Sequence, residues 1–243
     1  MSSAIFTVFM ATYSHERTGP VKPDHSGVEE YAPDVSIVRA ATDALVWSSD
    51  DEIVRLEAWG VDALRVRAAR GDELPEPLGD DGALMEVTSP ACESEIEIGD
   101  TEAAITNGAI RARLDAKGGL RFERTDDGRE LLAEHDPHFV DPRARHYGYR
   151  PDGYWRVQAT FAAYEDERLY GLGQQQHGKL DQKGCVIDLV QRNTQVAVPF
   201  MLSSRGYGFL WHSPAVGRVE LAENGTRWVA EASRGLDYWI TAA

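Results

Sequence analysis

Only two cysteines, Cys92 and Cys185, occur in the 243 residues. They cannot build a multi-disulfide framework, and their separation gives no metal-ligand pair, so a reducing, cytoplasmic setting is expected. Lysine is nearly as scarce, standing only at positions 22, 117, 179 and 183, and the cationic residues are otherwise arginine. No apolar run reaches the length of a membrane span, which argues against a membrane partner. The apolar stretch at residues 4–11 has no Lys or Arg before it and no small-residue cleavage site, so it is expected to be a first strand rather than a signal peptide. No long amphipathic helix can be drawn anywhere along the chain. From Gly71 to Ile110 there is no basic residue at all, while acidic residues crowd the same stretch. A solvated acidic face explains that stretch; its spacing matches no calcium loop.

What is present is an ordinary globular composition, 42% hydrophobic and 27% charged, with a net charge of −15. Such a balance opposes polyanionic partners and argues against nucleic acid. Period-2 alternation dominates. Val54, Leu56, Leu64 and Val66 alternate with Arg55, Glu57, Arg65 and Arg67 around a turn at residues 60–62. Ile110 and Leu114 alternate with Arg111 and Arg113 after the Asn107-Gly108 turn, and Phe122 follows the Gly118-Gly119 turn. Val157, Phe161, Phe200 and Leu202 complete the expected core, and residues 135–153 read as a long surface loop. Many short strands between Gly-, Asp- and Pro-rich turns predict an all-β antiparallel sandwich with little helix.

Four segments are more specific. Glu167-Arg-Leu-Tyr170-Gly171-Leu-Gly173-Gln174 is followed by Gln191-Arg192-Asn193, then by Pro199-Phe200, Ser203-Ser204-Arg205-Gly-Tyr207-Gly208, and finally Asp237-Tyr238. In order and spacing this series resembles the end of the N-terminal, galactose-mutarotase-like β-sandwich of glycoside hydrolase family 31, the α-glucosidases and α-xylosidases. The resemblance is strongest over residues 156–243 and weaker over residues 53–134. It implies that residues 1–243 form the N-terminal domain of a retaining exo-α-glycosidase, whose (β/α)8 barrel would follow residue 243 and carry both catalytic aspartates. No catalytic residue, metal or cofactor is then expected in this chain. Its partners would be an α-glycoside carbohydrate and the missing barrel. The domain would pack on the barrel through an apolar surface near the C-terminal strands and residues 170–173.

The resemblance also implies a loop over the mouth of the sugar pocket at Arg192 and Asn193. Family members often carry an acidic residue where Asn193 stands; an amide can still bond to sugar hydroxyls but brings no charge. Asn193 either contacts sugar or simply holds a turn. Gln175 and His177, in the polar loop after the glycine pair, are candidates for the same rim or for a plain exposed loop. The loop leans slightly toward α-xylosidases. Trp211, Trp228 and Trp239 alternate within strands and are expected in the core. The His135-x-x-His138 pair would need a third ligand to hold a metal. Asp188 and Asp237 lie in apolar strand sequence, where each is expected to anchor a turn or backbone contact. A free-standing carbohydrate-binding sandwich is the alternative. A mutarotase-like epimerase is a further one, but it would need His and Glu side chains converging on one sheet face.

Overall fold

The computed structural model describes residues 44–76, 83–84, 94–135 and 143–242, and the backbone of residues 37–41. The expected strand at residues 4–11, together with Cys92 and His138, lies outside these. In chain order the strands are β1 Ile37–Ala41, β2 Ala44–Ser48, β3 Glu52–Ala58, β4 Ala63–Arg70, β5 Glu95–Ile98, β6 Glu102–Asn107, β7 Ile110–Asp115, β8 Leu120–Arg124 and β9 Glu130–Ala133. There follow β10 Arg145–Tyr149, β11 Trp155–Phe161, β12 Leu169–Gln174, β13 Val186–Leu189, β14 Val196–Ser203, β15 Tyr207–Trp211, β16 Gly217–Ala222, β17 Gly225–Ser233 and β18 Leu236–Ala242. No helix occurs among the described residues.

These strands form an eight-stranded sheet, β1-β2-β3-β4-β18-β15-β14-β12, and two five-stranded sheets, β10-β11-β17-β16-β13 and β5-β6-β7-β8-β9. All the strand pairs are antiparallel, and the architecture is the expected sandwich. The two smaller sheets pack against the inner face of the large one. Phe122 of β8 meets Tyr238 of β18 edge to face, and Phe161 of β11 meets Phe209 of β15 in the same way. Trp211 of β15 stacks on Trp228 of β17 with centroids 5.9 Å apart. Val54, Leu56, Leu64, Val66, Ile110, Leu114, Phe122, Val157 and Phe161 are all buried, as their parity requires.

Phe200 and Leu202 correct the expected core. In β14 the inward residues are Ala197, Met201 and Ser203, which leaves Leu202 48% exposed and Phe200 half-buried. Both faces of β14 carry apolar residues, so alternation cannot say which one points inward. Trp211 and Trp228 are core residues, but Trp239 is half-buried and donates its indole N–H to the Trp59 carbonyl at 2.9 Å. Within the stretch expected to be one loop, residues 145–149 form β10.

β10 is pinned by charge rather than by apolar contact. Arg145, almost wholly buried, donates to Glu52 Oε1 and Oε2 at 2.8 and 3.1 Å, to Glu134, and to the Gly118 carbonyl at 2.9 Å. One guanidinium thereby ties elements of all three sheets together. Burial pushes the Glu134 carboxyl up against the opposing pull of Arg145. Burial would lower Arg145, but the charges of Glu134 and Glu52 outweigh it and keep the guanidinium firmly protonated.

Candidate functional site

The edge of the large sheet at β12 is shaped by three successive left-handed residues, Gly171 (φ 103°), Leu172 (φ 65°) and Gly173 (φ 88°). They create a bulge: Gly171 pairs with Met201, yet Gly173 pairs with Ala197. A Cβ on Gly173 would lie 1.9 Å from the Val196 carbonyl oxygen, so only glycine lets the two backbones approach so closely. Leu172 tolerates its strained φ while its side chain is fully buried. The glycine pair therefore has the local role its sequence suggested.

Below the bulge, the first strand turn is locked by Glu167, which is buried. Its Oε1 accepts from Ser203 Oγ at 2.5 Å and from Tyr207 Oη at 2.8 Å, and Lys183 Nζ stands 4.0 Å from Oε2. Burial, reinforced by the Glu167 charge, pushes the Tyr207 phenol well above its ordinary range, so it remains a donor. Arg205 lies over the Tyr164 ring at 3.8 Å and donates to the Glu130 carbonyl at 2.6 Å. Glu167, Ser203, Arg205 and Tyr207 belong to the family-like motif, and this buried network accounts for their presence.

Above the bulge, two loops meet. Gln176 donates its amide N–H to Thr194 Oγ1, joining residues 174–178 to residues 191–195. The second loop is a tight turn in which Gln195 N–H donates to the Arg192 carbonyl at 3.1 Å and Thr194 takes φ 69°. Gln191 clamps this turn onto β14 by bonding both the N–H and the carbonyl of Ala197, at 3.2 and 2.8 Å. Sequence reasoning gave Gln191, Gln176 and Thr194 no such structural part. A β-branched residue at a left-handed position leaves little sequence signal.

The four candidate rim residues lie on these two loops. Gln175 donates to the Leu172 carbonyl at 2.9 Å and is half-buried. His177 is exposed, and its Nδ1 accepts from Lys179 N–H at 3.1 Å. Arg192 is exposed and ion-paired to Asp188 at 2.7 Å. Asn193 is exposed at the tip of the turn, with no hydrogen bond to its side chain among the described residues. The two loops, joined at Gln176–Thr194, thus carry amides, an imidazole and a guanidinium, the kinds of polar group that suit clustered hydroxyls.

Asp188 and Asp237 have different work from the expected turn anchoring. Asp188 pairs with Arg192 at the surface. Asp237 accepts two bonds from buried Arg65, at 3.0 and 2.6 Å, and its Oδ2 lies 3.0 Å from His212 Nδ1. His212 Nε2 in turn accepts from Ala83 N–H at 3.0 Å. That acceptance requires the proton on Nδ1, facing Asp237. No group of three or more His, Cys, Asp or Glu side chains that could hold a metal occurs among the described residues.

Beside the loops, the outward side of β14 is apolar. Val196, Val198 and Leu202 of β14 are 50%, 44% and 48% exposed. Phe200 pairs in register with Leu210, and Leu210 with Trp239, so one apolar row crosses β14, β15 and β18. Val198 and Leu202 flank this row on the same parity.

A family model, the glycosyl hydrolase 31 N-terminal galactose mutarotase-like domain, matches residues 46–220. The chain is 36% identical over 216 residues to an uncharacterized family 31 glucosidase of Pseudescherichia vulneris, covering 82% of this chain and 40% of the relative. It is 33% identical over 208 residues to alpha-xylosidase A of Aspergillus niger, covering 79% of this chain and 28% of that protein. Among solved structures, the crystal structure of a GH31 alpha-xylosidase from a soil metagenome, complexed with xylose, superposes with a TM-score of 0.77 at 38% identity. That match covers 85% of this chain and 32% of the other. The chain therefore spans less than half the length of these relatives.

Proposed function

The chain belongs to the N-terminal galactose mutarotase-like domain family of glycosyl hydrolase 31, and from that premise we propose that it is one wall of an exo-acting α-glycosidase, similar in type to the α-xylosidases. The chemistry of such an enzyme needs two carboxylates about 5–5.5 Å apart across the anomeric carbon. In this reading a (β/α)8 barrel supplies them. The chain supplies the surface that covers one side of the barrel and the loops that line the pocket mouth.

The observation that carries the reading is the apolar row Phe200–Leu210–Trp239 with its flanking Val198 and Leu202. Large contiguous apolar surface is uncommon on a protein that works alone. It adjoins the joined loops at residues 174–178 and 191–195, so a barrel seated on it brings Gln175, His177, Arg192 and Asn193 toward the barrel mouth. There their donors and acceptors would hold sugar hydroxyls while the barrel does the chemistry. Asn193 in place of an acidic residue would bind the sugar by amide geometry without adding charge.

The test uses two polypeptides, this chain and a family 31 catalytic barrel, mixed and separated by gel filtration. Co-elution is expected, with α-xyloside hydrolysis in the joint fraction and loss of both when Leu202 is replaced by Asp. Co-elution that survives Leu202→Asp together with Phe200→Asp would show that the face is not the docking surface.

A further inference from the structure

A cleft of ≈ 240 Å³ opens where β10 meets the start of β3 and the end of β4, between the large sheet and one of the smaller sheets. Its floor is rigid. Arg145 and Glu52 are nearly buried and doubly bonded, and Tyr147 Oη adds a 2.7 Å bond to Glu52 Oε1. At the mouth Arg143 pairs with Asp51 at 2.8 Å. The Asp51 carboxyl would rise on burial, but its bond to Arg143 holds it below the usual carboxylate range. Arg70, which also lines the cleft, lies over the Trp155 ring at 5.6 Å from its centroid.

An aromatic step extends from the mouth. Tyr149 and Trp155 are register partners on β10 and β11 and meet edge to face at 6.2 Å. Tyr149 is 80% exposed, a large ring held at an edge strand with almost no core contact. Such a ring offers a flat apolar face, and the cleft beside it offers guanidinium donors and carboxylate acceptors. A pyranose needs both, because its C–H face is apolar and its rim is hydroxyl. The charges decide the kind of sugar. Three arginines of the lining, Arg70, Arg143 and Arg145, stand against Asp51, Glu52 and the Glu134 that Arg145 also binds, so the charges cancel and a strongly anionic ligand would find little net attraction.

We propose that this cleft is a carbohydrate-binding site for a neutral pyranoside, stacked on Tyr149 and bonded by Arg70 and Asp51. It shares no residue with the loops at 174–178 and 191–195. The ligand class rests on the carbohydrate reading above, whereas the site rests on the cleft itself. Calorimetric titration of the full chain with α-glucosylated and α-xylosylated gluco-oligosaccharides tests it, with Trp fluorescence as a second readout. Binding is expected, weakened about tenfold by Tyr149→Ala, retained by Tyr149→Phe, and indifferent to added sulfate. Loss of the fluorescence change in Trp155→Phe would tie the signal to this step. No binding, binding untouched by Tyr149→Ala, or displacement by sulfate would overturn the site. Such a result, alongside α-xyloside hydrolysis in the barrel-mixing experiment, would sink this inference and leave the proposed function standing.

Discussion

Replacing Gly173 by alanine perturbs the bulge that sets both candidate loops. Two costs combine. A left-handed φ for an L-residue costs about 1–2 kcal/mol. The new Cβ would also sit 1.9 Å from the Val196 carbonyl, where a Cβ needs at least 3.0 Å, so β12 and β14 must part by about an ångström. Parting weakens the pairing at Gly173–Ala197 and Gln174–Val196, and each unsatisfied backbone group costs about 1–3 kcal/mol. With one backbone group left unsatisfied the sum is about 2–5 kcal/mol, a large share of an ordinary domain's stability. Two controls separate the terms. Gly184 has φ 78° with nothing within 4 Å of its Cβ, so Gly184→Ala carries only the first cost. Gly217 has no positive φ but meets the Val229 carbonyl at 1.9 Å, so Gly217→Ala carries only the second. Urea unfolding followed by Trp fluorescence reads all three, and Gly173→Ala should lower the midpoint by about 1–2 M at a slope of about 2–3 kcal/mol/M. Equal midpoints for Gly173→Ala and Gly184→Ala would refute the claim that close approach of β12 and β14 makes Gly173 necessary.

Arg145→Met should destabilise the chain by about 3–5 kcal/mol, because it leaves Glu52 and Glu134 buried without their cation; a urea midpoint within 0.3 M of wild type, about 0.5–1 kcal/mol at such slopes, would contradict this. Burial would raise the Glu220 carboxyl, but its bonds to Arg218 and Arg227 hold it below its ordinary 4.5. Its stabilising share is therefore full above that value and lost as pH falls through the depressed folded-state value. Glu220→Gln should flatten the stability profile in that acid window and leave its shape at neutral pH unchanged. Leu202→Asp in the isolated chain should change stability by no more than about 0.5 kcal/mol, since the residue faces outward, and should reduce self-association seen by light scattering. A collapse of the fold would instead place Leu202 in a core.

Sequence made the β3–β4 and β7–β8 hairpins legible because their large apolar side chains mostly share one parity and the charged ones the other, so Val54, Leu56, Leu64, Val66, Ile110 and Leu114 declared the inside by alternation, even though Glu57 and Arg65 on the other parity of β3 and β4 are buried too. β14 was opaque for the opposite reason. Val196, Val198, Phe200 and Leu202 are as apolar as its inner residues, and Ser203 points inward only because Glu167 is buried there to bind it. β10 escaped notice because its inward side chains, Arg145 and Tyr147, are polar and find their partner Glu52 over ninety residues away. The glycine pair of β12 was readable as a backbone feature. The joining of the two loops was not, since it depends on a Gln176–Thr194 bond between surface side chains. Likewise Asp237 could be marked as an acid within an apolar strand, but its partners Arg65 and His212 follow only from strand order.

The central claim is that this chain builds a wall and leaves the bond-breaking carboxylates to another domain. Its most direct test is hydrolysis of aryl α-xylosides and α-glucosides by the purified 243-residue chain, beside Asp188→Asn and Asp237→Asn. Asp188 is tied to Arg192 at the surface, and Asp237 is held by Arg65 and His212. Each is thus engaged by an arginine, whereas the reaction needs two carboxylates set across the anomeric carbon. No turnover above the buffer rate is expected from any of the three proteins. Robust turnover by the wild-type chain, abolished by either substitution, would contradict the account.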